Sequence, residues 1–186
     1  MLIEEYNVQW PKQFEIIKEV LEKSLKSYVR IEHVGSTSIK GMFAKPIIDI
    51  DIEINKKDDL LQIKAELEDI GYVYCGDQGI PGREAFKRDR INKLGALDTI
   101  QHHLYVCASD NLEYQKHILF RDYLRNHKKA VDQYNSIKND IIRRYGENNR
   151  EKYVEVKENE YKWFFEDIIE KSKEERKKHP TTASTL

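Results

Sequence analysis

Cysteine is nearly absent from this chain: Cys75 and Cys107 are the only two in 186 residues. Two thiols cannot staple a disulfide scaffold or complete a four-cysteine zinc site, so a reduced, cytoplasmic protein is expected. Long apolar runs are missing as well. No stretch reaches the roughly 18 apolar residues that read as a membrane span, and the mean hydropathy is -0.76; no membrane partner is expected. The opening MLIEEYNVQW is acidic and lacks the apolar segment of a secretory signal. Charge of one sign is also lacking. Lys and Arg total 32 against 33 Asp and Glu, a net charge of -1, so nothing demands a nucleic-acid partner. No G-x-x-x-x-G-K-[ST] phosphate loop, G-x-S-x-G elbow or C-x-x-C pair occurs.

Charged residues make up 35% and hydrophobic residues 39%. The second figure is enough for a core; the first predicts long charged helix faces. Phe14, Ile17, Leu21 and Leu25 recur at helical spacing behind Pro11, predicting a helix over 10–27. Residues 29–34 are β-branched and end at Gly35-Ser36, a strand followed by a tight turn. The run PIIDIDIEI, 46–54, alternates strictly. A helix is expected from Asp58 or Asp59 to Gly71, a strand over 72–75, a glycine-rich loop or hairpin over 76–95, and a strand over 100–107. The rest reads as helical. Asp110 and Glu113 resemble a capping box for a helix carrying Leu119 and Leu124; a second helix ends at Gly146; a third carries Tyr153 through Ile168. This is an α/β (α+β) chain with a mixed β-sheet of four or five strands, flanking helices and a helical C-terminal half. It forms one domain over 1–172, with a charged tail, 173–186, expected to be disordered.

In the 46–54 strand, Asp49 and Asp51 point to one face, with about 7 Å between their Cα atoms. Carboxylate oxygens at that spacing can converge on a hard cation, with phosphate oxygens completing its shell. Gly35-Ser36 can offer backbone N–H groups and a hydroxyl to a phosphate, or Ser36 can simply cap its turn. The same alternation describes any half-buried strand with a solvated acidic side. His103 shares its strand face with Gln101, Tyr105 and Cys107, as a metal ligand, a base, or a hydrogen-bonded neighbour of the acids. His102 faces the apolar side, and His33 reads as structural. Lys45 stands before Pro46 and is therefore extended at the mouth of the acidic strand. Arg83 follows Gly82 and can grip an anion bidentately. Arg121 and Arg125 share a helix face, and Lys138 and Lys157 lie on later helices. These cations are either a phosphate-binding set or ordinary ion-paired helix surface.

The run HVGSTSIKGMFAKPIIDIDIEI at 33–54 resembles the GrpB family, also called UPF0157. The likeness continues through GYVYCGDQGIPGR at 71–83, HLYV at 103–106 and FRDYLRNHKKAVDQYNSIK at 120–138, then Tyr153 and Lys157. It implies a nucleotidyltransferase-like fold in which the Gly-Ser turn and D-x-D strand form a metal and triphosphate signature. It also points to Lys45, Arg121 and Lys157 as site residues. Active members of that superfamily usually add a third carboxylate from a later strand. The 100–107 strand offers His103 instead, and nothing selects among Asp77, Asp89 and Asp98 as substitutes. The resemblance thus implies a nucleoside triphosphate and Mg²⁺ or Mn²⁺, held by Asp49 and Asp51, with possible transfer of a nucleotidyl group to a small molecule. The alternative is a non-catalytic module for a nucleotide or a phosphorylated, coenzyme A-related metabolite. A pure interaction module built on the charged helices is a third reading. The pattern fixes no oligomeric state.

Overall fold

The computed structural model describes residues 3–56, 59–89, 95–146 and 149–178. A five-stranded mixed sheet organises the first half. In chain order its strands are β1 (Arg30–Val34), β2 (Ile48–Ile54), β3 (Tyr72–Tyr74), β4 (Arg83–Arg88) and β5 (His102–Ala108). In space the order is β1-β2-β5-β4-β3. Only β2 and β5 run parallel; the other pairs are antiparallel. A parallel pair needs a long crossover, and here it comprises α2 (Leu60–Asp69), β3, β4 and the short α3 (Ala96–Thr99).

The alternation of β2 decides how the sheet is covered. Ile48, Ile50, Ile52 and Ile54 are buried against Phe14, Ile17 and Leu21 of α1 (Gln9–Ser24), Ile63 and Leu67 of α2, and Leu97 of α3. The opposite face carries Asp49, Asp51 and Glu53. The helix α4 (Leu112–Asn126) crosses that face with polar side chains. Tyr114 donates to Glu53, His117 to Asp51 and Arg121 to Glu32. Beyond α4, helices α5 (Lys128–Tyr145), α6 (Arg150–Asn159) and α7 (Lys162–Lys178) form a second core. There Ile39 and Met42 from the loop before β2 pack with Val131, Ile137, Phe164 and Ile168.

Several boundaries differ from the sequence expectations, for local reasons. The first helix spans Gln9–Ser24 instead of 10–27, because Asn7 Oδ1 accepts from the Gln9 amide and because Glu66 Oε2 takes the amides of Lys26 and Ser27 beyond its end. The α4 cap is Asn111, not Asp110: its side chain accepts from the amides of Glu113 and Tyr114 at 2.9 and 3.1 Å. The expected third C-terminal helix is two helices. At the break Glu160 pairs with Arg144 and Tyr161 donates to Asp140, tying both residues to α5. The last helix runs past 172 to Lys178, with Ser172 buried against the Leu119 carbonyl and Arg176 paired to Asp122. Asp58, residues 90–94 of the expected loop and residues 179–186 of the expected tail lie outside the described residues. Among the described residues, no helix is long and apolar enough to cross a membrane.

Asn111 also donates to the Pro81 carbonyl, so it ties the hairpin before β4 to the start of α4. Asn111→Ala should lower stability by about 1 kcal/mol, the usual cost of losing a helix cap, read as a shift of the urea midpoint at unchanged slope.

Candidate functional site

The site grows from the acid face of β2. Asp49 is in register with His103 on β5, and Asp51 with Tyr105. Parallel partners present side chains to the same face, so His103 Nδ1 reaches Asp49 Oδ1 at 2.9 Å. Asp51 has no solvent exposure. Its Oδ2 lies 2.7 Å from Nδ1 of His117 on α4. A carboxylate oxygen accepts, so each Nδ1 carries the proton. Each acid therefore has one oxygen fixed by an imidazole. The remaining oxygen of Asp51, Oδ1, is buried without a hydrogen-bond partner among the described residues. The remaining oxygen of Asp49, Oδ2, lies against Gly35. That glycine has φ +69°, and a Cβ there would stand 2.2 Å from Oδ2. The Gly-Ser turn thus approaches the carboxylate as only glycine can.

Cations gather beside the acids. Lys45, Lys138 and Lys157, with Ser36, Asp49 and His103, line a cavity of about 180 Å³. The Lys138 ammonium donates to Ser36 Oγ at 2.7 Å and to the Phe43 carbonyl, and Lys138 is only 3% exposed. Burial brings its pKa down to about 7, with the nearby Lys157 charge adding to the effect. Burial also lowers Lys157, and it lowers Lys45, where Arg150 and Lys157 add repulsion. Burial alone pushes the Tyr153 hydroxyl in the same cavity up to about 12. At His117 burial works against the charged ring, but the hydrogen bond and negative charge of Asp51 outweigh it, so its pKa is raised.

A second cavity, of about 560 Å³, opens from the same junction. It shares Ser36, Asp49, Tyr134 and Lys157 with the first. It extends past Arg83 and His117 to a wall of Phe120 and Phe165, whose rings stack at 5.2 Å.

Of the residues singled out from sequence, Gly35, Ser36, Lys45, Asp49, His103 and Lys157 line one or both cavities, and Arg83 lines the larger. Asp51 lies beneath, on the same strand face. Arg121 is placed elsewhere. It is ion-paired with Glu32 and Asp122, donates to the His33 carbonyl, and lines a separate cavity between α1 and β1 with Arg125. Its helix position turns it toward β1, where its partner Glu32 stands opposite Asp51, and it lines neither cavity beside the acid pair. His33 is a core residue stacked on Phe14, and burial pushes its pKa down to about 3. His102 is held between Tyr72 and the Ile100 carbonyl. Burial pushes the Cys107 thiol up to about 12, which disfavours the thiolate. Asp77 caps its own turn at Gly79, and Asp98 pairs with Arg88. His117 was absent from the sequence-derived set. Its only signal was its place three residues after Tyr114 and four before Arg121, a polar stripe on one helix face.

These features define the class: a mixed α+β fold with an acid pair beside a glycine-serine turn. Comparisons agree with it. The family model described as "GrpB protein" matches residues 1–177, and the chain belongs to that family. UPF0157 protein YqkA of Bacillus subtilis is 32% identical over 166 residues, which cover 85% of this chain and 46% of YqkA. The chain thus spans about half the length of that relative. Glutamate-rich protein GrpB of Alkalihalophilus pseudofirmus is also 32% identical over 166 residues, covering 88% of this chain and 91% of that protein. The crystal structure of conserved protein GrpB from Enterococcus faecalis superposes with a TM-score of 0.73 at 29% identity, covering 91% of this chain and 98% of that one. A structure of the Cid1 poly(U) polymerase matches with a TM-score of 0.51 at 15% identity, over 73% of this chain and 43% of that chain, a likeness of fold alone.

Two outcomes follow from this geometry. Gly35→Ala should cost about 1–3 kcal/mol, the range for a strained backbone residue, in chemical denaturation, because the added carbon has no room beside Asp49. Lys138 should give a pH dependence of known sign. Its folded pKa lies below the unfolded value of 10.5, so the unfolded chain binds more protons between those values. Stability from this group is therefore fully present above the unfolded pKa and is lost as pH falls toward 7. Urea unfolding of Lys138→Met between pH 7 and 10 should lack that rise.

Proposed function

We propose that the protein binds a nucleoside triphosphate with Mg²⁺ or Mn²⁺ and transfers its nucleotidyl group to a small molecule. One observation carries this reading: two carboxylates, each with one oxygen fixed by an imidazole and one left over, stand directly beside a lysine-lined cavity. At about 180 Å³ that cavity falls below the ~300–1,000 Å³ of typical whole-ligand sites, and its cations suit phosphates. Ser36, Lys138 and Lys157 would take the phosphate chain, and the larger cavity would take what extends beyond it.

The donor set fits a divalent cation shared with phosphate. Among the described residues no group of three or more His, Cys, Asp or Glu side chains is placed to hold a metal by itself. A hard cation held by one or two carboxylates, however, completes its shell from substrate phosphates and water. The unpartnered Asp51 Oδ1 is the donor such an ion would satisfy, with Asp49 beside it. When bound, the ion would neutralise phosphate charge and polarise the phosphorus under attack. The imidazoles of His103 and His117 keep both carboxylates aimed, and the lysines offset the negative charge left on the departing pyrophosphate.

A second reading, a nucleotide or coenzyme A-related binding module without turnover, draws support from one feature. On the acid face β5 shows His103, Tyr105 and Cys107 and β4 shows Arg83, Ala85 and Lys87, so neither strand adds a third carboxylate there.

Thermal shift with ATP, GTP, CTP and UTP should show stabilisation by at least one nucleotide, dependent on Mg²⁺ or Mn²⁺, of about 2.7 kcal/mol at a hundredfold excess over Kd. The Asp49→Asn/Asp51→Asn variant should lose it, and Asp49→Asn should abolish pyrophosphate release while remaining folded. Binding with no turnover under any acceptor would favour the second reading. A shift that ignores both chelator and the double variant would remove the acid pair from the site.

A further inference from the structure

Arg83 stands out among the cations of the larger cavity. Lys116 pairs with Glu113 and Lys162 with Glu166, while Lys157 lies over the Phe165 ring. The Arg83 side chain has no ion pair and no hydrogen bond among the described residues, and its Nε is buried and unsatisfied. Its guanidinium lies 4.5 Å above the ring of Tyr105, the in-register neighbour of Asp51. A buried guanidinium nitrogen left without a hydrogen-bond acceptor is costly, and the group that satisfies the fork best is a bidentate oxyanion. Such an anion would lie between Arg83 and the acid pair.

The surrounding face sharpens the chemistry. An alcohol acceptor needs a base to remove its proton. Neither β4 nor β5 brings a carboxylate to this face, and the unsatisfied group there, Arg83, is a hydrogen-bond donor that cannot take up a proton but can hold an oxyanion. An acceptor that is already an oxyanion needs no base. Resting on the proposed nucleotidyl transfer, we infer that the acceptor is a small molecule that attacks through an oxyanion, a carboxylate or a phosphate, oriented by Arg83 with its apolar part against Phe120 and Phe165. The oxyanion oxygen forms a bond to the α-phosphorus while the bond from that phosphorus to its bridging oxygen breaks. The electron pair leaves with pyrophosphate, no proton moves, and the product is a nucleotidyl anhydride.

Three probes share one ring and differ in the attacking group: 4-fluorobenzoate, 4-fluorophenyl phosphate and 4-fluorobenzyl alcohol. Fluorine NMR without metal or nucleotide reads binding. At least one oxyanion probe should bind and the alcohol should not. Arg83→Met should weaken that binding on the order of tenfold or more, the worth of a hydrogen bond to a charged group. Arg83→Lys keeps the charge without the fork and guards against a folding defect in the first variant; it should fall between. Arg143→Met, at an exposed arginine paired with Asp140 and lining neither cavity, should leave probe binding unchanged. With Mg²⁺ and the nucleotide that binds, pyrophosphate release should rise with the carboxylate or the phosphate, and the one that responds names the source. Release driven by the alcohol would overturn the inference. So would absent binding of both oxyanions, or an Arg83→Met variant that loses the nucleotide-induced thermal shift together with the probe. A wild-type protein that binds the oxyanion through Arg83 but shows no nucleotide shift would instead overturn the proposed function and leave the Arg83 subsite standing.

Discussion

The carboxylate of Asp51, wholly removed from water in the middle of the sheet, is the constraint around which the acid face is built. An ion buried there would be untenable without partners. His117 supplies one of them, and supplying it requires a helix laid across the sheet at that height. The second oxygen is left open. Asp49, two residues earlier on the strand, repeats the arrangement with His103, but at the surface, where its open oxygen meets the turn at Gly35. The two acids thus differ in access while sharing one design: an imidazole on one oxygen of each.

Opposite charge is concentrated on the facing elements. Lys138 comes from α5, Lys157 from α6 and Lys45 from the loop before β2, so three separate segments bring ammonium groups to one small cavity. Burial favours the neutral form of all three, the charge of Lys157 adds repulsion at Lys138 and Lys45, and Lys138 is held by the Ser36 hydroxyl. Such an arrangement resembles one side of a bond waiting for the other. That concentration of positive charge suits the phosphates of the proposed function.

Much of this architecture was legible in the residues. Strict alternation in PIIDIDIEI announced β2 and put Asp49 and Asp51 on one face; the same logic separated His102 from His103. Helical periodicity found the later helices, since their apolar stripes repeat cleanly through Val131, Ile137 and Ile141. Other features needed three dimensions. The break between α6 and α7 is set by Arg144 and Asp140, far upstream, so no local pattern marks it. Asn111 outcompeted Asp110 as a cap because only its side chain aligns with the amides of Glu113 and Tyr114. Arg121 looked like a site residue because its neighbours in sequence resemble the family's. Its helix phase sends it to Glu32 instead. His117 was overlooked because a single histidine in a helix has no periodic signature, and its role appears only when β2 lies beneath it.

The side chains that α4 lowers onto the sheet carry a further consequence. Tyr114, His117 and Arg121 each meet a different carboxylate, on Glu53, Asp51 and Glu32. Greasy helix surfaces can slide past one another at modest cost, but this one is keyed. A displacement of one turn, about 5.4 Å, would break all three contacts at once and strand Asp51 and Glu32. The docking therefore has a single low-energy alignment, and the cavity wall that hangs from it stands at its working height before any ligand arrives.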